Sequence, residues 1–168
     1  MKVIFSHGKE SGPWGTKIKR LAKIARKHTC EVDSLDYRAY QNPDDRVYQL
    51  LNYLNDEKEE FILVGSSMGG YVSLVVSEKV VSKGLFLLAP ALFLEGYQKQ
   101  DYRTKCADIE IIHGWKDEVI PYQNSVKFAK NVDCSLHLIS GDHRLNCSLE
   151  IVENLFEQFL LRILHDLK

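Results

Sequence analysis

Residues Phe61 to Lys79, Phe-Ile-Leu-Val-Gly-Ser-Ser-Met-Gly-Gly-Tyr-Val-Ser-Leu-Val-Val-Ser-Glu-Lys, constrain this chain more than any other stretch. Four apolar residues, Phe61 to Val64, follow an acidic run and have the length and composition of a buried strand. The small residues of Gly65-Ser66-Ser67-Met68-Gly69 form a tight turn, and the apolar residues beyond suit a helix packed on a sheet. Strand, sharp turn and helix give the Gly-x-Ser-x-Gly pattern its mechanical meaning, because the turn lifts one serine hydroxyl above the sheet. The spacing selects Ser67 rather than Ser66, with glycines on either side letting the flanking backbone come close without a Cβ clash. Taken alone, the pattern is equally served by small residues that merely end a strand and begin a helix. The rest of the chain decides between these readings.

At 168 residues the expectation is one domain, 1–168, with enough chain for a substantial core. A formal net charge of −1 gives no sign of a nucleic-acid partner. No apolar run has the length of a membrane span, and Met1 to Gly8 lack the apolar core and cleavage site of a signal peptide. Cys30, Cys106, Cys134 and Cys147 show neither a Cys-x-x-Cys pair nor a ligand spacing with histidine. Free thiols, no metal and a cytoplasmic location are therefore expected.

Strand and helix signals alternate along the chain. Lys2 to Ser6 reads as a strand ending at His7-Gly8, and Ile18, Leu21, Ala22 and Ala25 mark one stripe of a helix. The other face of that helix is basic from Lys17 to Lys27, as a solvated surface or a site for an acidic partner would be. Glu31 to Leu35 is a second strand, and a helix follows Pro43-Asp44-Asp45, with the acids at its favoured end. After the Ser67 helix come strands at Gly84 to Ala89 and Ile109 to His113, and a helix from Pro121 to about Lys130. A last strand at Ser135 to Ile139 precedes a C-terminal helix whose apolar face includes Leu149, Val152, Phe156, Leu160 and Ile163. The expected architecture is a three-layer α/β/α sandwich around a mostly parallel sheet of about six strands. Ligands of such open sheets sit beyond the carboxyl ends of the strands.

Those ends carry Ser67, then Asp117 in His113-Gly114-Trp115-Lys116-Asp117-Glu118-Val119-Ile120-Pro121, then His143 in Gly141-Asp142-His143. Ser, Asp, His is the chain order of the α/β-hydrolases. The chain resembles that superfamily over nearly its whole length. Gly-Ser-Ser-Met-Gly-Gly-Tyr together with His7-Gly8 looks most like the small, lid-poor esterases of the YqiA type and the related palmitoyl-thioesterase-like branch. The resemblance implies a serine esterase or thioesterase acting on small to medium acyl groups, with no cofactor. It implies Ser67 as nucleophile, His143 as base and Asp117 as the acid that orients it. It also implies an oxyanion hole from the backbone N–H groups of Met68 and Lys9.

Each role has rivals in the sequence. Glu118 and Asp142 compete with Asp117, while His7 and His113 are further strand-end histidines that the resemblance assigns to loop support. Trp14 and Trp115, with Tyr71, are candidates to line a substrate pocket, as they are for ordinary core packing. Lys9 and Lys116 stand where a negatively charged substrate would meet them. Against that superfamily the expectation is a sheet without two of its common N-terminal strands, with Ala91 to Ala107 too short for a full helical lid. An amidase or peptidase on the same triad, or an interaction module that kept the fold and lost activity, remains open at this point.

Overall fold

A computed structural model of the chain describes residues 1–165. Its strands are β1 (Lys2–Ser6), β2 (Glu31–Ser34), β3 (Phe61–Ser66), β4 (Gly84–Leu88), β5 (Ile109–Gly114) and β6 (Ser135–Ile139). Between and after them run helices α1 (Thr16–Lys27), α2 (Pro43–Asn55), α3 (Met68–Ser77), α4 (Tyr122–Val132) and α5 (Leu149–His165). The six strands form one sheet in the order β2-β1-β3-β4-β5-β6, and every neighbouring pair is parallel. The α/β-hydrolase fold expected from the sequence is the fold observed.

Period-2 alternation splits the apolar strand residues between two cores. Ile4, Leu63, Leu85, Leu87 and Ile111 face one way, against Leu50, Leu74 and Phe128 from the helices. Val3, Phe5, Ile62, Val64, Phe86 and Ile112 face the other, against Leu21 of α1 and Phe156, Phe159 and Leu160 of α5. The basic face of α1 is partly spoken for here, since Arg20 bonds Glu153 and Lys27 bonds Glu157 across to α5.

Local chemistry sets the element ends. Asn42 caps α2 by accepting from Asp44 N–H, with Pro43 in the first helical position where a missing N–H does no harm. β3 runs past Val64 through Gly65 and Ser66 because Ser6 on β1 and Leu88 on β4 flank those residues. Pro121 lies just outside α4 rather than opening it. Residues 89–108 hold no helix, so no helical lid stands between β4 and β5.

Strand order places the switch point between β1 and β3, since the chain leaves β1 in one direction for β2 and returns past it for β3. Loops leaving two such adjacent strands in opposite directions open a crevice at their carboxyl ends. His7-Gly8-Lys9 and Ser67 stand at that crevice.

Candidate active site

Ser67 occupies the N-cap of α3 at φ 55° and ψ −121°, outside the regions a side chain prefers. Such a conformation costs on the order of 1–3 kcal/mol and survives only where its surroundings over-determine it. Ser67 N–H donates to Leu88 O at 2.9 Å, and Ser67 O accepts from Gly70 N–H at 2.9 Å and Ala91 N–H at 3.0 Å. A Cβ at Gly69 would collide with the Ser6 carbonyl, and one at Gly65 with the Gly69 carbonyl. The first turn of α3 therefore sits directly on the strand ends, and the Ser67 side chain makes no capping bond.

Ser67 Oγ lies 2.9 Å from His143 Nε2, and His143 Nδ1 lies 2.7 Å from Asp117 Oδ2. An ionised carboxylate only accepts, so Nδ1 carries the proton and Nε2 is left to accept from the Ser67 hydroxyl. Asp117 Oδ1 accepts from the N–H groups of Val119 and Ile120 at 2.9 and 2.8 Å. Burial works to raise the Asp117 carboxyl, but these donors and His143 outweigh it and hold it below the ordinary carboxylate range.

Neither rival acid reaches the imidazole. Glu118 is exposed at the rim, and Asp142 Oδ1 is occupied by the N–H groups of Arg144 and Leu145 in a local turn. The acid and histidine loops are tied together by Lys116 N–H donating to Gly141 O at 2.9 Å.

The two other strand-end histidines are buried and bonded. His113 Nε2 faces both Asp117 Oδ2 at 3.0 Å and Ile120 O at 3.1 Å, so it carries the proton, while Nδ1 accepts from Ser125 Oγ at 2.7 Å. Asp117 is thus held from two sides, a contact the sequence motifs did not disclose. His7 Nε2 accepts from Tyr37 N–H at 2.9 Å, and His7 Nδ1–H donates to Gly8 O at 2.7 Å. Burial lowers the pKa of both rings.

A cavity of about 930 Å³ opens at Ser67, bordered among others by Lys9, Met68, Leu94, Tyr97 and His143. Among the described residues, the N–H groups of Lys9 and Met68 donate to no acceptor. Lys116 borders the cavity as expected. So does Lys17, whose ammonium burial presses down to about 8 against the opposing pull of Asp142 and Asp117.

Trp14 and Trp115, expected from the sequence to line a substrate pocket, do not border this cavity, although their neighbours Gly15 and Lys116 do. Trp14 is 38% exposed and lies under the Arg26 guanidinium, while Trp115 is 52% exposed and stands edge-on to Tyr122. Tyr71 is buried in the core, its hydroxyl bonded to Asp44. The apolar wall comes instead from Ala91, Leu94, Tyr97, Val119 and Ile120, most of them on loops without periodicity.

A family model described as Uncharacterised protein family (UPF0227) matches residues 2–100, a span that includes Lys9 and Ser67 but neither Asp117 nor His143. No curated protein matches the sequence. A protein of the alpha/beta hydrolase superfamily from Xanthomonas campestris pv. campestris superposes with a TM-score of 0.87 at 28% identity, covering 96% of this chain and 98% of its own. Est1E from Butyrivibrio proteoclasticus gives 0.79 at 18% identity, over 98% of this chain and 88% of its own. The esterase Pf2001 from Pyrococcus furiosus gives 0.82 at 16% identity, over 96% and 82%.

Proposed function

The chain belongs to the uncharacterised protein family UPF0227 and has the α/β-hydrolase fold, and from that premise we propose that it is a serine hydrolase cleaving carboxylic esters or thioesters of small to medium acyl groups. One observation carries this reading: the hydrogen-bonded line from Ser67 through His143 to Asp117, opening on a cavity with two unengaged backbone N–H groups.

The chemistry follows from the parts. Ser67 Oγ attacks the acyl carbon while its proton passes to His143 Nε2. Asp117 keeps the imidazole in the accepting tautomer and stabilises the imidazolium. Charge gathers on the former carbonyl oxygen, where the N–H groups of Met68 and Lys9 receive it. One such donor is worth about 10²–10³ in rate, roughly 3–4 kcal/mol. The carbon–oxygen or carbon–sulfur bond then breaks, and the departing alcohol or thiol takes the proton from His143. Water attacks the acyl-enzyme with His143 again as base, releasing the acid and restoring Ser67.

The cavity is open, without a helical lid, which leaves acyl-chain selectivity to the cavity wall itself. Sharing a fold with Est1E and Pf2001 makes esters the first substrates to try. The aligned set also argues against an interaction module that has lost activity, since such a module has no need to keep all three side chains in register. Incubation with a fluorophosphonate should add one adduct, mapped by mass spectrometry to Ser67. Ser67→Ala should take no label and Ser66→Ala should retain it. Labelling elsewhere, or none on folded protein, rejects the mechanism. Parallel esters, thioesters and amides of graded chain length then define the substrate.

A further inference from the structure

Arg46, in the first turns of α2, is fully buried, and among the described residues no carboxylate pairs with it. An unpaired guanidinium inside a protein is unfavourable, and burial pulls its pKa down. Its donors go to the main chain instead. Nε donates to Tyr40 O at 2.8 Å, and Nη1 is shared between His7 O at 3.2 Å and Gly8 O at 3.3 Å. The guanidinium lies over the Tyr37 ring, 5.5 Å from its centroid, and Nη2 has no partner.

The Gly8 carbonyl is the point where these forces meet. It accepts from Arg46 Nη1, from His7 Nδ1–H at 2.7 Å and from Ser11 Oγ at 3.4 Å. In a trans peptide the carbonyl and the following N–H point in opposite directions within one plane, and no peptide of the described residues is cis. Drawing Gly8 O into the protein therefore turns Lys9 N–H outward. Lys9 borders the cavity at Ser67, and its N–H is unengaged.

A side chain at Gly8 would be a close fit. A Cβ there would sit 3.3 Å from Ser67 Cβ and 3.6 Å from Ser66 O. Its absence leaves this peptide free to rotate, since glycine tolerates conformations closed to other residues. A rotated peptide would present a carbonyl, not an N–H, to the site. We infer that Arg46 is a positioning residue that locks the Gly8–Lys9 peptide with its N–H facing the oxyanion. Its charge also polarises that peptide and strengthens the donor. This inference rests on the serine-hydrolase reading above, with Lys9 as one of the two donors.

The test compares wild type, Arg46→Met and Arg46→Lys with a short-chain p-nitrophenyl ester and a trifluoromethyl ketone, which forms a tetrahedral adduct with an active serine. Thermal melts and far-UV circular dichroism establish folding. In Arg46→Met, kcat should fall by about 30- to 1000-fold, the range of a displaced or lost oxyanion donor. KM should stay within about threefold, because ground-state binding does not use the donor. Ketone affinity should fall in parallel with kcat. Arg46→Lys keeps the charge but not the fork, and should recover part of both losses. If Arg46→Met does not fold, Arg46→Lys must still lower kcat and ketone affinity together. Folded variants with wild-type kcat, or with the loss confined to KM, overturn the inference while leaving the serine mechanism standing. Wild type that does not turn over the ester, or Ser67→Ala that does, overturns the mechanism and the inference with it.

Discussion

Asp117 accepts four hydrogen bonds, from Val119 N, Ile120 N, His143 Nδ1 and His113 Nε2. Replacing it by Asn puts an amide NH₂ or a single carbonyl where the carboxylate met two ring N–H groups. His143 would then be driven towards the tautomer that cannot accept from Ser67. Asp117→Asn should lower kcat by about 10³–10⁴-fold, the usual consequence of a wrong tautomer in this arrangement. Glu118→Gln should stay near wild type, because Glu118 is exposed and bonds to nothing in the site. Ester kinetics on both variants, with melts to confirm folding, decide the matter. At this scale the sequence was informative about residue types in their motifs and poor at side-chain direction. Ser67, Asp117 and His143 stand in short motifs, whereas His113 reaches Asp117 only because of how its strand end is turned. Arg46 carried no motif at all, and its role depends on burial that no local pattern encodes. Trp14 and Trp115 stand off the cavity wall for the same reason, their rings being turned onto Arg26 and Tyr122.

Elements were far more legible, because buried parallel strands announce themselves as short apolar runs between turn formers. β1 and β6 carry the ends read for them, and the α5 stripe is the face that packs on β4. The misses lie where tertiary contacts outvote local signals. β3 gains Gly65 and Ser66 through ladder partners on both sides. A 3-10 turn at Asn146–Ser148, entered through Leu145 at φ 57°, joins the histidine loop to α5 without any periodic signature. The turn from β3 to α3 is the most sensitive junction, since Gly69 rests against the Ser6 carbonyl. Gly69→Ala has no room to relax without parting α3 from β1. A loss of about 1–3 kcal/mol is expected, the usual range for overpacking, read as a lower urea midpoint. Activity should fall more than the folded fraction does, because Ser67 moves with the turn.

The whole molecule is a parallel sheet between two apolar layers, with His7 and His113 sealed at the strand ends in neutral form. Burial sets both pKa values below the usual histidine value. Between that lowered value and the unfolded one, near 6.5, the unfolded chain binds more protons than the folded one. Stability therefore rises with pH through this window and is lost as pH falls below about 6.5. Urea midpoints should drop between pH 7.5 and 5.5, and His113→Asn, although less stable at pH 7.5, should show a shallower drop. A flat profile in wild type would refute this account.

The position of α5 has a consequence for how the protein is made. Phe156 and Phe159 pack on Phe86 with ring centroids 5.2 Å apart, closing a layer that β1, β3 and β4 have already begun. A ribosome adds about 5–20 residues per second. From the end of β4 to Leu160, roughly 4–14 s therefore pass with the part of this side that α5 will cover still exposed, α1 covering only the remainder. During that interval the chain is a natural client for a chaperone that shields apolar surface.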